Sequence, residues 1–285
     1  MISFIVLCKQ IADKFIRDEM TVYAAQASFF ILLSFFPFIM VLVTLLQFIP
    51  QLSEDMLVTV LTALIPNVSR IRPLIEGVVS DLYIHSPGTI LWITVLTALW
   101  SASKGMMSME RGLNRIWGTN EKRGYIRTRI ICTGYTLVFL LMCIMSLLLL
   151  VFGTAIQNFI VHTIPIISGI TQTILNIRTI FAVALLVLSF TTLYAVVPRK
   201  KLKIKPQLPG ALFSSLGWIL FSFGFSIYFN QFSRFSYTYG SLTAIVLLML
   251  WLYFCICILF AGAEINYFYV SYKNGAFHFH DFEDC

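Results

Sequence analysis

The residues best able to do chemistry are few, and they sit beside long apolar runs. Glu264 comes directly after Gly262 and Ala263, at the end of the last such run. An ionisable side chain at the centre of a membrane helix costs about 2.5–3.5 kcal/mol on insertion scales, so one retained near hydrocarbon is expected to have a partner. Lys104, Arg111 and Arg115 are the expected partners: Ser101 to Trp117 reads as a continuing helix, on which these three fall near one face. The same face could hold a phosphate. The pair with Glu264 would either tether two helices or act directly on a substrate or proton.

Gln26, Ser28 and Ser34 precede or enter the first apolar run, and Pro37 lies inside it. Proline removes one backbone hydrogen bond, so a kink with exposed carbonyls is expected there and could line a cavity. Hydroxyls on this face could equally bond to a neighbouring helix. Tyr239-Gly240-Ser241 reads as the turn into the last run or as part of an extracytoplasmic gate. His278-Phe-His280-Asp281 alone offers a cluster of potential metal ligands. It lacks the extra spacing residue and following histidine of the metallo-hydrolase HxHxDH pattern, and it stands in a tail with no domain to complete a site. Neither a Ser-His-Asp constellation nor a Gly-rich phosphate loop is present, and His85 and His162 are isolated. No metal, no cofactor and no enzymatic activity are expected.

The elements that must position these residues follow from composition. Of 285 residues, 59% are hydrophobic and 12% charged, and the mean hydropathy is +0.86. A soluble domain is roughly 45–50% apolar and about 25% charged. A spanning helix needs roughly 20 mostly apolar residues, and continuous runs, rather than alternating ones, exclude a barrel. Six segments qualify: 29–49, 88–107, 130–152, 177–197, 210–230 and 242–263. Residues 1–28, with Phe4, Leu7, Ile11 and Phe15 at helical spacing, predict an amphipathic helix on the cytoplasmic face. The stretch 52–86 predicts two short helices capping the bundle from outside. Residues 271–285 form a tail, so the partition is 1–28, a membrane domain 29–270, and 271–285. The charges that follow Cys8 at once argue against a cleaved signal, and the six cysteines have no disulfide-framework spacing.

Lys and Arg set the orientation, because positive residues are retained in the cytoplasm. All 20 except Arg70, Arg72, Arg178 and Arg234 fall on one side when six crossings are drawn. Both termini are therefore expected in the cytoplasm. The resulting basic face, including Arg199, Lys200, Lys201, Lys203 and Lys205, suits anionic lipid headgroups at about 1 kcal/mol per residue. It could instead serve topology alone. Nucleic acid is not expected, since loops this short hold no RNA-binding fold.

The run Tyr23-Ala-Ala-Gln26-Ala-Ser28-Phe-Phe-Ile-Leu-Leu-Ser34-Phe-Phe-Pro37 resembles the opening motif of the YihY/BrkB family of bacterial inner-membrane proteins. Further resemblance lies in Trp100-Ser-Ala-Ser103-Lys104 continuing to Arg111-Gly-Leu-Asn114-Arg115-Ile-Trp117, in Pro209-Gly210-Ala, and in Tyr239-Gly240-Ser241-Leu242 leading to Trp251 and Gly262-Ala-Glu264-Ile-Asn266. Together these cover roughly residues 20–270. The resemblance implies an all-α polytopic protein of six membrane helices in a bacterial plasma membrane, with an activity not settled. Labels attached to that family include virulence factor, ribonuclease BN, and lipid or solute transport. It adds Ser103 and Asn114 to the candidate binding residues.

The expectation is a transporter or flippase of a lipid or small amphipathic solute, with anionic lipids as partners and an oligomer compatible with the sequence. The alternative is a non-transporting scaffold of the cell envelope.

Overall fold

The computed structural model describes residues 2–47, 87–119, 124–141, 171–200, 202–232 and 240–273, which are helices joined by short turns, with no strand among them. Helix α1 spans Ile2–Arg17 and α2 Met20–Gln47, continuing through Pro37. The single helix expected over residues 1–28 is thus two elements. Backbone bonds from Asp18 N to the Lys14 carbonyl (2.8 Å) and from Glu19 N to that of Ile16 (3.0 Å) end α1. Glu19 then takes φ 57°, a left-handed conformation that costs a non-glycine residue about 1 kcal/mol or more.

Helix α3, Pro87–Ile116, carries the second apolar run straight on into the basic segment, as its spacing predicts. It stops at Gly118, whose φ of 60° suits glycine. There Thr119 N bonds the Asn114 carbonyl (2.9 Å) and Gly118 N that of Arg115 (3.1 Å), which satisfies two of the helix's last carbonyls in the Schellman manner. Helix α4 covers residues 125–141 and α5 is Thr171–Val196. A 3₁₀ turn at Lys205–Gln207 leads into α6, Leu208–Phe232. Helix α7, Gly240–Lys273, runs well past Ala263, where the last apolar run ends. Among the described residues, Lys205–Tyr228 and Ile245–Lys273 are long and apolar enough to cross a bilayer, and Met20–Phe35 and Val183–Val196 are shorter apolar helices. The two capping helices expected over 52–86, and the tail with His278, His280 and Asp281, lie outside the described residues.

Helix α2 packs along α3, and α7 packs against α6 and α2. The starts of α2, α4 and α6 meet the ends of α3, α5 and α7 at one end of the molecule. Contacts there are Ser108 to the Tyr23 carbonyl at the start of α2, Arg199 to Glu110 and Thr128, and Gly210 to Asn266, with Lys14 of α1 joining the Ile116 carbonyl and Glu264. Met20, Ala24, Leu113, Ile116, Phe260 and Ala263 fill the core between them. The outside is apolar: α6 exposes Leu212, Leu216, Leu220, Phe223 and Ile227, and α3 exposes Trp92, Ile93, Leu96 and Trp100. Such a surface suits lipid rather than water.

Helices α6 and α7 cross in near-contact of their backbones. A Cβ on Gly210 would collide with the Gly262 carbonyl oxygen, and one on Gly262 with Ser214 Oγ and Tyr194 Oη. Small residues at such crossings let polar groups bond between helices. Here Asn266 Oδ1 accepts from Gly210 N (2.7 Å) and its Nδ2 donates to the Gln207 carbonyl (3.1 Å). Tyr194 Oη donates to the Leu259 carbonyl (2.6 Å) and lies 2.7 Å from Ser214 Oγ. Gly262→Ala is expected to destabilise the protein by about 1–3 kcal/mol, as overpacking does, whereas Gly224→Ala, with open space around its Cβ position, is expected to be near neutral. Thermal unfolding of both variants in detergent checks this.

Candidate functional site

Two buried charge clusters lie at the end where the helix termini meet. The first is built on Lys14, which α1 directs inward although it belongs to the helix expected to lie on the surface. Its residue is 7% exposed and that of Glu264 is 0% exposed. Lys14 Nζ donates to Asp18 Oδ2 (2.6 Å), to the Ile116 carbonyl (3.1 Å) and to Glu264 Oε1 (3.2 Å). It also lies 2.9 Å from Glu264 Oε2 and 4.4 Å from the centroid of the Tyr267 ring. An ammonium has three donors, and all three are used. One side chain therefore ties α1, the C-terminus of α3 and α7 together.

This corrects the partner expected for Glu264. Lys104 instead places its Nζ 5.0 Å from the Phe30 ring centroid. Arg111 is exposed, its Nη2 lying 3.8 Å from Met107 Sδ, and Arg115 reaches Asp18 only at 3.9 Å. The physical reason is helix rotation: Ile116, not Arg111 or Arg115, faces α7, so the cation that reaches Glu264 comes from α1.

The second cluster centres on Glu110, 1% exposed. Its Oε1 accepts from Arg199 Nε (2.9 Å) and Asn114 Nδ2 (3.5 Å), and its Oε2 from Cys132 Sγ (2.9 Å). Asn114 Oδ1 in turn accepts from Arg199 N (2.8 Å), and Arg199 Nη2 donates to Thr128 (3.4 Å). Sequence reasoning passed over Glu110. An acidic residue within a basic segment that begins on a membrane helix, four positions before Asn114, was the available signal.

The remaining candidates divide by burial. Ser34 and Ser103 are buried and bond back to carbonyls three residues earlier, at Ile31 (2.7 Å) and Trp100 (3.1 Å). Ser28 does the same to Ala25. Pro37 is half-buried within α2. Tyr239 lies outside the described residues. Gln26 is exposed on α2, where its Oε1 accepts from Ser108 (3.0 Å). At about 100° per residue, Leu96, Trp100, Lys104, Arg111 and Arg115 share a sector of roughly 100° on α3. The structure thus brings Gln26, Lys104, Arg111 and Arg115 to one outward strip, apolar and aromatic at one end and cationic at the other. Beside it, the Arg129 guanidinium stacks 3.8 Å from the centroid of the Trp100 ring. Among the described residues no group of three or more His, Cys, Asp or Glu is placed to hold a metal ion.

Breaking a buried ion pair by removing one partner costs about 3–5 kcal/mol, because the other charge is left uncompensated. Glu264→Gln and Lys14→Met are each expected to lower the unfolding temperature in detergent sharply. Their double variant should lose less than the sum of the two, giving a coupling term in a double-mutant cycle. Additive losses would mean that the two side chains do not pair.

Comparison with known proteins places this arrangement. A curated relative from Bacillus subtilis, "Putative ribonuclease-like protein YfkH", is 31% identical over 258 residues, covering 90% of this chain and 93% of that protein. A "UPF0761 membrane protein" of Pseudoalteromonas atlantica is 29% identical, covering 88% of this chain and 81% of its own length. Another, of Aliivibrio salmonicida, is 26% identical over 270 residues. No solved structure matches. The family described as "Virulence factor BrkB" matches residues 11–278, a span that takes in Lys14, both buried clusters and the α6–α7 crossing. This chain, a membrane protein that is helical in its described segments, therefore belongs to the Virulence factor BrkB family.

Proposed function

We propose that the protein crosses the plasma membrane six times, with both termini in the cytoplasm, and moves a lipid or small amphipathic solute whose anionic group docks on the cytoplasmic face. The topology is supported by the meeting of alternate helix termini at one end, since starts of α2, α4 and α6 beside ends of α3, α5 and α7 require an even number of passes. That end carries Lys14, Lys104, Arg111, Arg115 and Arg199, which agrees with cytoplasmic retention of positive charge. Residues 29–270 then form the membrane domain, with α1 before it and a short tail after it.

The observation that carries the functional reading is the outward strip on α3. Leu96 and Trp100 offer an apolar track, and Lys104, Arg111 and Arg115 follow within a few turns, matching an acyl chain that leads to an anionic headgroup. The buried candidates do not support a polar path: Ser34, Ser103, Asn114 and Glu264 are engaged within the protein, and those bonds favour a second reading, a scaffold of the cell envelope that transports nothing. A hydrolytic reading, suggested by the ribonuclease-like name of the Bacillus subtilis relative, lacks support among the described residues, whose buried carboxylates are each spent on a cation.

Native mass spectrometry of the purified protein in detergent tests the lipid reading. The wild type is expected to retain phosphatidylglycerol selectively over phosphatidylcholine, and an Arg111→Ala/Arg115→Ala variant to lose much of that selectivity while unfolding at nearly the same temperature, since both arginines are exposed. Equal, unselective retention by the two would sink the strip as a lipid site and shift the weight to the scaffold. Reporter fusions at either terminus test the topology, and an extracytoplasmic signal from either end would overturn it.

A further inference from the structure

Arg129 is the cation that the structure leaves unbalanced. It is 8% exposed, on the first turns of α4, at the height of Trp100. Its Nη2 donates to the Trp100 carbonyl at 2.9 Å, and its guanidinium stacks on the indole. Its Nη1 is buried with no partner, and among the described residues no carboxylate pairs with it. The two other deeply placed cations differ: Lys14 holds Asp18 and Glu264, and Arg199 holds Glu110. A guanidinium carries five donors in a fixed planar fork, and an uncompensated charge near hydrocarbon is costly. A ring face offsets part of that cost, about 2 kcal/mol when desolvated. It offers no acceptor to Nη1.

We propose that Arg129 is a receptor for the phosphodiester of an anionic phospholipid, with the Trp100 indole as its movable cover. The inference rests on the membrane reading above and not on transport. Three features select this ligand. The missing partner must be an acceptor and an anion, and phosphate meets both needs because it matches the guanidinium fork. The surroundings are apolar and outward-facing, with Leu96, Ile126 and Ile130 strongly exposed, so the anion must arrive with a hydrocarbon tail. Tryptophan and arginine at the end of an apolar stretch mark the depth of the headgroups. Nη1 is enclosed while the indole lies over the guanidinium. Trp100 is 56% exposed, so it is free to swing off and admit the phosphate.

The test uses the full chain in detergent, with phosphatidylglycerol, phosphatidylcholine and inorganic phosphate as probes. Phosphatidylglycerol is expected to raise the unfolding temperature of the wild type and to be retained in native mass spectra. Arg129→Gln is expected to reduce that retention at least about fivefold, as loss of one interfacial cation implies. Arg129→Lys, which keeps the charge without the fork, should fold like the wild type and lose part of the retention; it decides the matter if the glutamine variant does not fold. A change in tryptophan fluorescence on lipid titration should be present in the wild type and absent in Trp100→Leu. Wild-type retention by both Arg129 variants would overturn the proposal. Protection by inorganic phosphate equal to that by phosphatidylglycerol would overturn the lipid as its source. The two readings fail separately, because the Arg111→Ala/Arg115→Ala variant keeps Arg129, and the Arg129 variants keep the outer strip.

Discussion

A single ammonium group holds together the end of this protein at which the helix termini meet. Lys14 comes from a helix outside the apolar runs, yet its Nζ reaches a carboxylate on α7, a carbonyl at the end of α3 and a carboxylate one turn along its own chain. Burying a charge is tolerable only when every donor is matched, so the position of each partner is fixed by the need of the others. Glu264 must sit on the face of α7 toward α1. Helix α3 must stop where Ile116 can offer its carbonyl, which is where Gly118 turns the chain. Asp18 must follow at once, and the strained Glu19 beyond it is the consequence of turning the chain into α2 within so few residues.

The Glu110 cluster repeats this logic on the other side of α3. It joins α3 to the start of α4 through Cys132 and Thr128 and to the end of α5 through Arg199. The α6–α7 crossing uses neutral groups for the same purpose: Gly210 and Gly262 bring the backbones close enough for Asn266 to bond across, and Tyr194 of α5 donates to the Leu259 carbonyl. Two ionic clusters and one neutral crossing therefore fasten the helices at one level. In lipid there is no hydrophobic force between helices, and packing and polar bonds must supply the association. The clustering of polar motif residues is thus a requirement of assembly before it is a sign of catalysis or transport.

The helical, apolar character of the described segments was legible in the sequence for a simple reason: length and apolarity of a run are local properties. The extension of α3 through Ser101–Ile116 was equally legible, since no proline interrupts that segment before Gly118. What could not be read was which cation meets which carboxylate. Glu264 and Lys14 are separated by most of the chain, and their pairing depends on the rotation of three helices about their axes. Sequence proximity to the apolar boundary favoured Lys104, Arg111 and Arg115, yet rotation turned those outward. The break at Asp18-Glu19 was hidden because neither residue is a glycine or proline, and Glu110 was hidden by the positive charges around it.

The cations of this end sort into three environments, and the sorting follows from dielectric depth. Lys14 and Arg199 are enclosed, where an unmatched charge is most costly, and each has a carboxylate. Lys104 and Arg129 stand beside aromatic rings, where the ring quadrupole offsets part of the desolvation and no carboxylate is supplied. Arg111 and Arg115 are exposed, where water does the work and a distant Asp18 adds little. Within the middle class Arg129 is left with capacity to spare, because it is buried and its Nη1 has no acceptor. On the proposal that Arg129 receives a phospholipid, a group at that depth would meet its missing partner in the headgroup layer, and the rule that fixes the fold at Lys14 would direct lipid to the edge of α3 and α4.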